Sequence, residues 1–185
     1  MNDKRPIAVV INGKGGCGKD SLIRIVQEKL KGKYRIENVS AIDPIKKIML
    51  MTTPWDGIRK TDADRAFMHD LKMIYVRYCD MPNQYLLECY DKAVEAGTDV
   101  IFMHIREPEE IRKLVESMKA KHNTVLTLLI HRPEVENRVY GNDADDDVNK
   151  YDYDIDFLNE GSLEESGARF VQKINDIIER RKDNA

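Results

Sequence analysis

The chain has 185 residues, with 30 Lys and Arg against 33 Asp and Glu and a formal net charge of −3. That length suits one domain with room for a substantial core, and the mixed, mildly acidic charge excludes the basic footprint of a nucleic-acid binder. No apolar run approaches a membrane span, and Cys17, Cys79 and Cys89 form no CxxC pair, which fits a reduced, cytoplasmic compartment.

Asp3, Lys4 and Arg5 lead straight into residues 7–12, an apolar, β-branched run that reads as a buried strand with no leader before it. Next comes Gly13-Lys14-Gly15-Gly16-Cys17-Gly18-Lys19-Asp20-Ser21. Strand, glycine loop, then amphipathic helix is the context a phosphate-binding loop needs. Glycines let successive backbone N–H groups face one hollow, the helix N-terminus adds partial positive charge, and Lys19 adds a full one. The usual hydroxyl after the lysine is replaced by Asp20, with Ser21 one residue later. One residue is a rotation of about 100° on a helix. Asp20 therefore either ligates magnesium, as a hard oxygen donor can, or caps the helix.

Leu22, Ile25, Val26 and Leu30 then repeat at helical spacing. Residues 35–42 read as a second strand, and Pro44 opens a short helix to about residue 50. Residues 62–78 are helical, with Phe67, Leu71, Ile74, Tyr75 and Tyr78 along one face. Pro82 restarts a helix to about residue 96, which Gly97 ends. Residues 100–105 form a strand, 108–121 a helix and 124–130 a strand. A polar stretch runs to about residue 152, residues 153–158 make the last strand, and Ser162 can cap the final helix.

Five strands alternating with helices predict an α/β sandwich on a parallel sheet. Ligands in such sheets bind beyond the carboxyl ends of the strands. The segments at those ends are 13–21, 43–47, 106–108, 132–147 and 159–162, all rich in polar residues or glycine. The long stretch 132–152 reads as a lid. In the acidic cluster Asp143, Asp145, Asp146 and Asp147, the alternation of Asp143, Asp145 and Asp147 is like that of a calcium loop, but Val148 stands at the glycine position and Asp154 at the glutamate. They read as solvated surface. Trp55, the one tryptophan, reads as packing beneath residues 43–97 rather than stacking on a base.

The ending Gly-Lys-Asp-Ser resembles the P-loop deoxynucleoside monophosphate kinases, which are adenylate kinase-like, and the related phosphomevalonate kinases. Ala41-Ile42-Asp43-Pro44-Ile45-Lys46 resembles their segment after the second strand. Trp55-Asp56-Gly57 with Lys60 and Arg65 is similar to their helical insertion. Arg106 with Glu107, Glu110 and Ile111 is similar to their Asp-x-Arg and following helix. Gly141-Asn142 and Tyr151-Asp152-Tyr153 resemble the close of their lid, and Asn159-Glu160-Gly161-Ser162 their last turn.

The resemblance implies a single P-loop NTPase domain over residues 1–185: a three-layer sandwich with a five-stranded parallel sheet, a helical substrate-binding insertion at about 43–97 and a lid at about 132–152. It implies phosphoryl transfer from ATP, with Mg2+, to a (deoxy)nucleoside monophosphate, the alternatives being phosphomevalonate or dephospho-coenzyme A as acceptor, or nucleotide binding without transfer. A monomer or homodimer is expected, and the composition gives no nucleic-acid or membrane partner. Gly13, Gly15, Gly16, Cys17, Gly18, Lys19, Asp20 and Ser21 would hold the donor phosphates, with Asp20 and Ser21 on the metal. Asn159, Gly161 and Ser162 would line the adenine side. Asp43, Lys46, Arg65 and Arg106 would take the acceptor, and Lys19, Arg106, Arg132 and Arg138 would act on the transferring group. One departure stands out. His104 occupies the place of the family's Asp, as a structural histidine or as a substrate contact.

Overall fold

The computed structural model describes residues 5–138 and 147–183. Among these, five strands form one wholly parallel sheet: β1 (Ile7–Asn12), β2 (Ile36–Ser40), β3 (Val100–His104), β4 (Val125–His131) and β5 (Ile155–Leu158). Their spatial order is β2-β3-β1-β4-β5. The helices are α1 (Lys19–Lys29), α2 (Asp43–Thr52), α3 (Asp62–Cys79), α4 (Met81–Glu95), α5 (Pro108–Ala120), the single turn α6 (Pro133–Glu136) and α7 (Leu163–Asp183). The expected three-layer α/β sandwich is borne out.

The central strand shows why. Every residue of β1 is buried, and strand periodicity sends alternate side chains to opposite faces. Ile7, Val9 and Ile11 join Leu22, Ile23, Val26, Phe170 and Ile174 in the core beneath α1 and α7. Ala8 and Val10 join Leu86, Tyr90, Ile111 and Leu114 beneath α4 and α5. Burying each such aliphatic side chain contributes about 1.5–3 kcal/mol, so the middle of the sheet is the strongest part of the fold. The register sets Ile11 and Ser40 level with His104. The carboxyl ends of β1, β2 and β3 therefore open into one crevice.

Boundaries move by a residue or two at most elements. The second strand ends at Ser40 rather than 42, and the last strand begins at Ile155 rather than 153, where Tyr153 turns its hydroxyl to Asn12. Helix α3 begins with a capping box between Thr61 and Asp64. Its stripe divides: Leu71 and Tyr75 pack against a small core with buried Met68, Lys72 is buried beside them, and Phe67, Ile74 and Tyr78 are exposed. Periodicity marks a face but not the side on which it lies. Met68 joins Ile45, Met49 and Trp55 in a small separate core. Trp55 donates its indole N–H to the Arg59 carbonyl at 2.6 Å, as expected of a packing residue. No described helix is long and apolar enough to cross a membrane.

Candidate active site

The loop after β1 is held from below. Asn12 is fully buried at the end of an otherwise apolar strand. Its Oδ1 accepts the Gly13 N–H at 2.8 Å, and its Nδ2 donates to the Arg106 carbonyl at 2.9 Å and the Tyr153 hydroxyl at 2.8 Å. One carboxamide thus ties the loop to the end of β3 and to the lead into β5. Gly13 stands at φ 147, and a Cβ there would lie 2.5 Å from the Ile130 carbonyl. Gly18 stands at φ 91, and a Cβ there would lie 2.4 Å from Asn159 Nδ2. Neither position accepts a side chain.

Lys19 is buried, with Nζ donating to the Gly13 carbonyl at 2.8 Å and lying 3.8 Å from Cys17 Sγ. Its amine therefore folds over the hollow of the loop. Asn159 Nδ2 donates to the Cys17 carbonyl at 2.7 Å, and Ser166 donates to Asn159 Oδ1. The Asn159 side chain is thus a brace under the loop. Ser162 accepts the Glu165 N–H at 3.2 Å, and Glu165 Oε2 accepts the Ser162 N–H at 3.0 Å. Ser162 caps α7 as expected, and Gly161 beside it is exposed.

Helix α1 has no side-chain cap, so Asp20 does not take the capping role. Its carboxylate is 90% exposed, with Oδ1 3.8 Å from His104 Nδ1. The His104 side chain is only 13% exposed, and its Nε2 donates to Asn38 Oδ1 at 2.7 Å. Burial, with help from the Lys19 and Arg106 charges and against Asp20 and Asp43, pushes the imidazole down to about 4. His104 is neutral at neutral pH. The exposed Asp20 carboxylate is an oxygen donor of the kind that fits a hard divalent cation, and Ser21 follows it in the first turn of α1.

The residues expected to take an acceptor lie near one another. Asp43 Oδ2 accepts the Ser40 N–H at 2.8 Å, and its Oδ1 pairs with Lys46 at 2.8 Å. Lys60, half-buried, has its pKa lowered by burial and then by the charges of Lys46, Arg65 and Arg106, with Asp20 opposing. Four cations therefore share one region. Lys72 and Glu107 form a nearly buried ion pair next to Arg106, and Lys72 holds the Glu107 carboxyl below its usual range although burial opposes it. That pair fixes α3 against the start of α5.

Arg132 pairs with Glu134 at 3.1 Å, and its guanidinium comes within 4.0 Å of where a Gly18 Cβ would stand. Lys14 donates to the carbonyls of Glu136 and Arg138, joining the loop to the segment after β4. Arg138 itself is exposed. Gly141, Asn142, Asp143, Asp145 and Asp146 lie outside the described residues, and Asp147 pairs with Lys150 at 2.8 Å. Sequence reasoning missed Asn12, Lys14 and Lys60 as site residues. A lone polar residue closing an apolar strand was the available signal for Asn12.

No protein-family model and no curated protein matches the chain. Solved structures do. The chain is similar to the APS kinase of Mycobacterium tuberculosis in complex with AMPPNP and APS, with 14% identity, TM-score 0.54, and 95% of this chain and 98% of that one covered. It is similar to a gluconokinase from Sinorhizobium meliloti 1021, with 14% identity, TM-score 0.51, and 100% and 99% covered. It is also similar to the tunicamycin resistance protein of Deinococcus radiodurans, with 14% identity, TM-score 0.55, and 92% and 95% covered. At these identities the likeness establishes the fold, which is that of the P-loop kinases.

Proposed function

We propose that the chain transfers the γ-phosphoryl group of ATP to a (deoxy)nucleoside monophosphate, giving the diphosphate. The observation that carries this reading is the group of four cations, Lys46, Lys60, Arg65 and Arg106, across the crevice from the Lys19 loop. Arg65 is exposed and the other three are partly buried, and so much positive charge in one region calls for an anionic acceptor. The neighbours named for APS and gluconate also carry kinase names.

An oxygen of the acceptor phosphate attacks the γ-phosphorus, the bond to the β-phosphate oxygen breaks, and ADP leaves. Such chemistry needs positioning and charge stabilisation more than covalent help. The loop amides from Gly13 to Asp20 cradle the donor phosphates. Lys19 leaves the Gly13 carbonyl for the outer phosphates and follows their charge. The acceptor cations hold the second anion against repulsion by the first. Arg132 and Arg138, on a lid over residues 132–152, meet the equatorial oxygens of the transferring group. Gly161 and Ser162 border the adenine, with Asn159 bracing the loop beneath it. A divalent cation held by Asp20 and Ser21 would screen the donor phosphates when bound.

The test is ADP production from ATP and magnesium against each ribo- and deoxyribonucleoside monophosphate, phosphomevalonate and dephospho-coenzyme A. Rapid turnover with one or two monophosphates is expected. Turnover only with phosphomevalonate or dephospho-coenzyme A would move the chain to another kinase of this fold. ATP binding with no turnover across the panel would make it a nucleotide-binding protein without transfer, a reading that His104 in place of a carboxylate favours.

A further inference from the structure

We propose that Asp20 and His104 together ligate the cation that accompanies the nucleotide, and that this oxygen-and-nitrogen pair selects a first-row transition ion over Mg2+. The inference rests on the nucleotide-binding reading above and goes beyond it in naming the metal and its second ligand.

Three observations meet at this pair. Asp20 Oδ1 and His104 Nδ1 lie 3.8 Å apart across the mouth of the loop. Two neighbouring ligands of an octahedral ion sit about 3 Å apart when each bond is near 2.1 Å. Closing the gap takes a small rotation of Asp20, whose carboxylate is almost wholly exposed. The second observation concerns the other ring nitrogen. His104 Nε2 donates to Asn38 Oδ1 at 2.7 Å, which leaves the Nδ1 lone pair directed at Asp20. Metal-binding histidines are held in just this manner, with the far N–H fixed by an oxygen acceptor. The third is the backbone. His104 ends β3 level with Ser40 of β2 and Ile11 of β1, so the ring stands at a fixed height beside the loop rather than on a mobile segment.

The chemistry follows from the donors. Mg2+ is bound through carboxylates, phosphates and water and parts with its waters reluctantly. An imidazole nitrogen shifts preference toward Mn2+, Fe2+ and Co2+, in rising order of affinity. Lys19 and Arg106 stand near His104, so the ion would arrive with the nucleotide, whose phosphates offset those charges.

The experiment uses the whole chain and AMPPNP, an ATP analogue that is not cleaved. Calorimetry compares preformed Mg2+, Mn2+ and Co2+ complexes of AMPPNP on the wild type, His104→Gln and His104→Asp. Pulsed electron paramagnetic resonance on the Mn2+ complex looks for modulation from a directly bound nitrogen, with 15N-histidine labelling to identify it. The wild type is expected to favour Co2+–AMPPNP over Mg2+–AMPPNP by about tenfold, and to show histidine nitrogen modulation. His104→Gln should lose both, and an unchanged thermal unfolding midpoint shows that it is folded. His104→Asp should favour Mg2+. Tight Mn2+–AMPPNP binding without nitrogen modulation would overturn the inference and leave the nucleotide reading standing. Failure of AMPPNP to bind with any of the ions would overturn both.

Discussion

The phosphate loop and the helical segment between β2 and β3 face each other across one crevice, and they are held in opposite ways. The loop is anchored by buried polar groups with named partners: Asn12 below it, Asn159 behind it and Lys19 folded over it. It continues the fully buried strand β1. The helical segment has its own small core around Trp55 and Met68. It leaves Met51, Ile58, Phe67, Ile74 and Tyr78 exposed. Its attachment to the sheet is α4, whose Leu86 and Tyr90 are buried against β1 and β3, while the Lys72–Glu107 pair joins α3 to the start of α5. The comparison teaches a division of labour. On the proposed function, the side that would meet a constant chemical group is built into the core, and the side that would choose among acceptors carries α2 and α3 on a small core of their own.

The sharpest way to break this comparison is at Lys19. Lys19→Ala is expected to lower turnover on the order of a thousandfold while leaving thermal unfolding nearly unchanged. An assay of ADP formation beside a melting curve checks it, and wild-type turnover would sink the mechanism. Next come paired substitutions on the two sides. Gly18→Ala should destabilise the fold by about 2 kcal/mol, since it strains the backbone and strikes Asn159. Tyr78→Ser on the outer face of α3 should change stability by no more than about 0.5 kcal/mol. Urea unfolding of both variants decides whether the two regions differ as described.

Smaller effects sharpen the acceptor side. Lys60→Ala should raise KM for the acceptor roughly tenfold, the loss of one partly desolvated contact to an anion, and leave KM for ATP alone. Equal changes in both would show that Lys60 does not belong to the acceptor group. The smallest expected effect is at His131. Burial lowers its pKa, but bonds to Glu136 at 2.7 Å and Asp156 at 3.0 Å outweigh that and raise it above 6.5. A raised folded pKa gives stability that is fully present below the unfolded value and lost as pH rises through the folded one. Unfolding midpoints should therefore fall as pH climbs above 6.5, and His131→Gln should flatten that decline.

Much of the donor side was legible in the sequence because its signals are local. Residues 7–12 are a β-branched run, and four glycines with a lysine follow at once. Strand number and order of elements came from the same local periodicity. What escaped depends on partners far along the chain. Asn12 matters through Arg106 and Tyr153, and Lys14 through Glu136 and Arg138. Lys60 matters through cations on three other segments. The divided face of α3 escaped for another reason. An aromatic face at helical spacing looks the same whether it packs inward or waits in solvent, and here Leu71 and Tyr75 pack inward beside the stem of Lys72 while Phe67, Ile74 and Tyr78 stay in solvent.

Asn12 and Gly13 also bear on how the protein ages. An asparagine followed by glycine is the pair most open to deamidation, because glycine has no side chain to hinder its nitrogen from attacking the neighbouring carboxamide. In the folded chain that nitrogen spends its hydrogen on Asn12 Oδ1, and the carboxamide is pinned at its other end by two acceptors. The folded state thus shelters the very dipeptide on which its phosphate loop depends. Each excursion to the unfolded state exposes it, and the aspartate that results would return to the same place without its donor and with a negative charge beneath the phosphates. Loss of nucleotide binding would then mark a molecule's history of unfolding, while the sheet around it stayed intact.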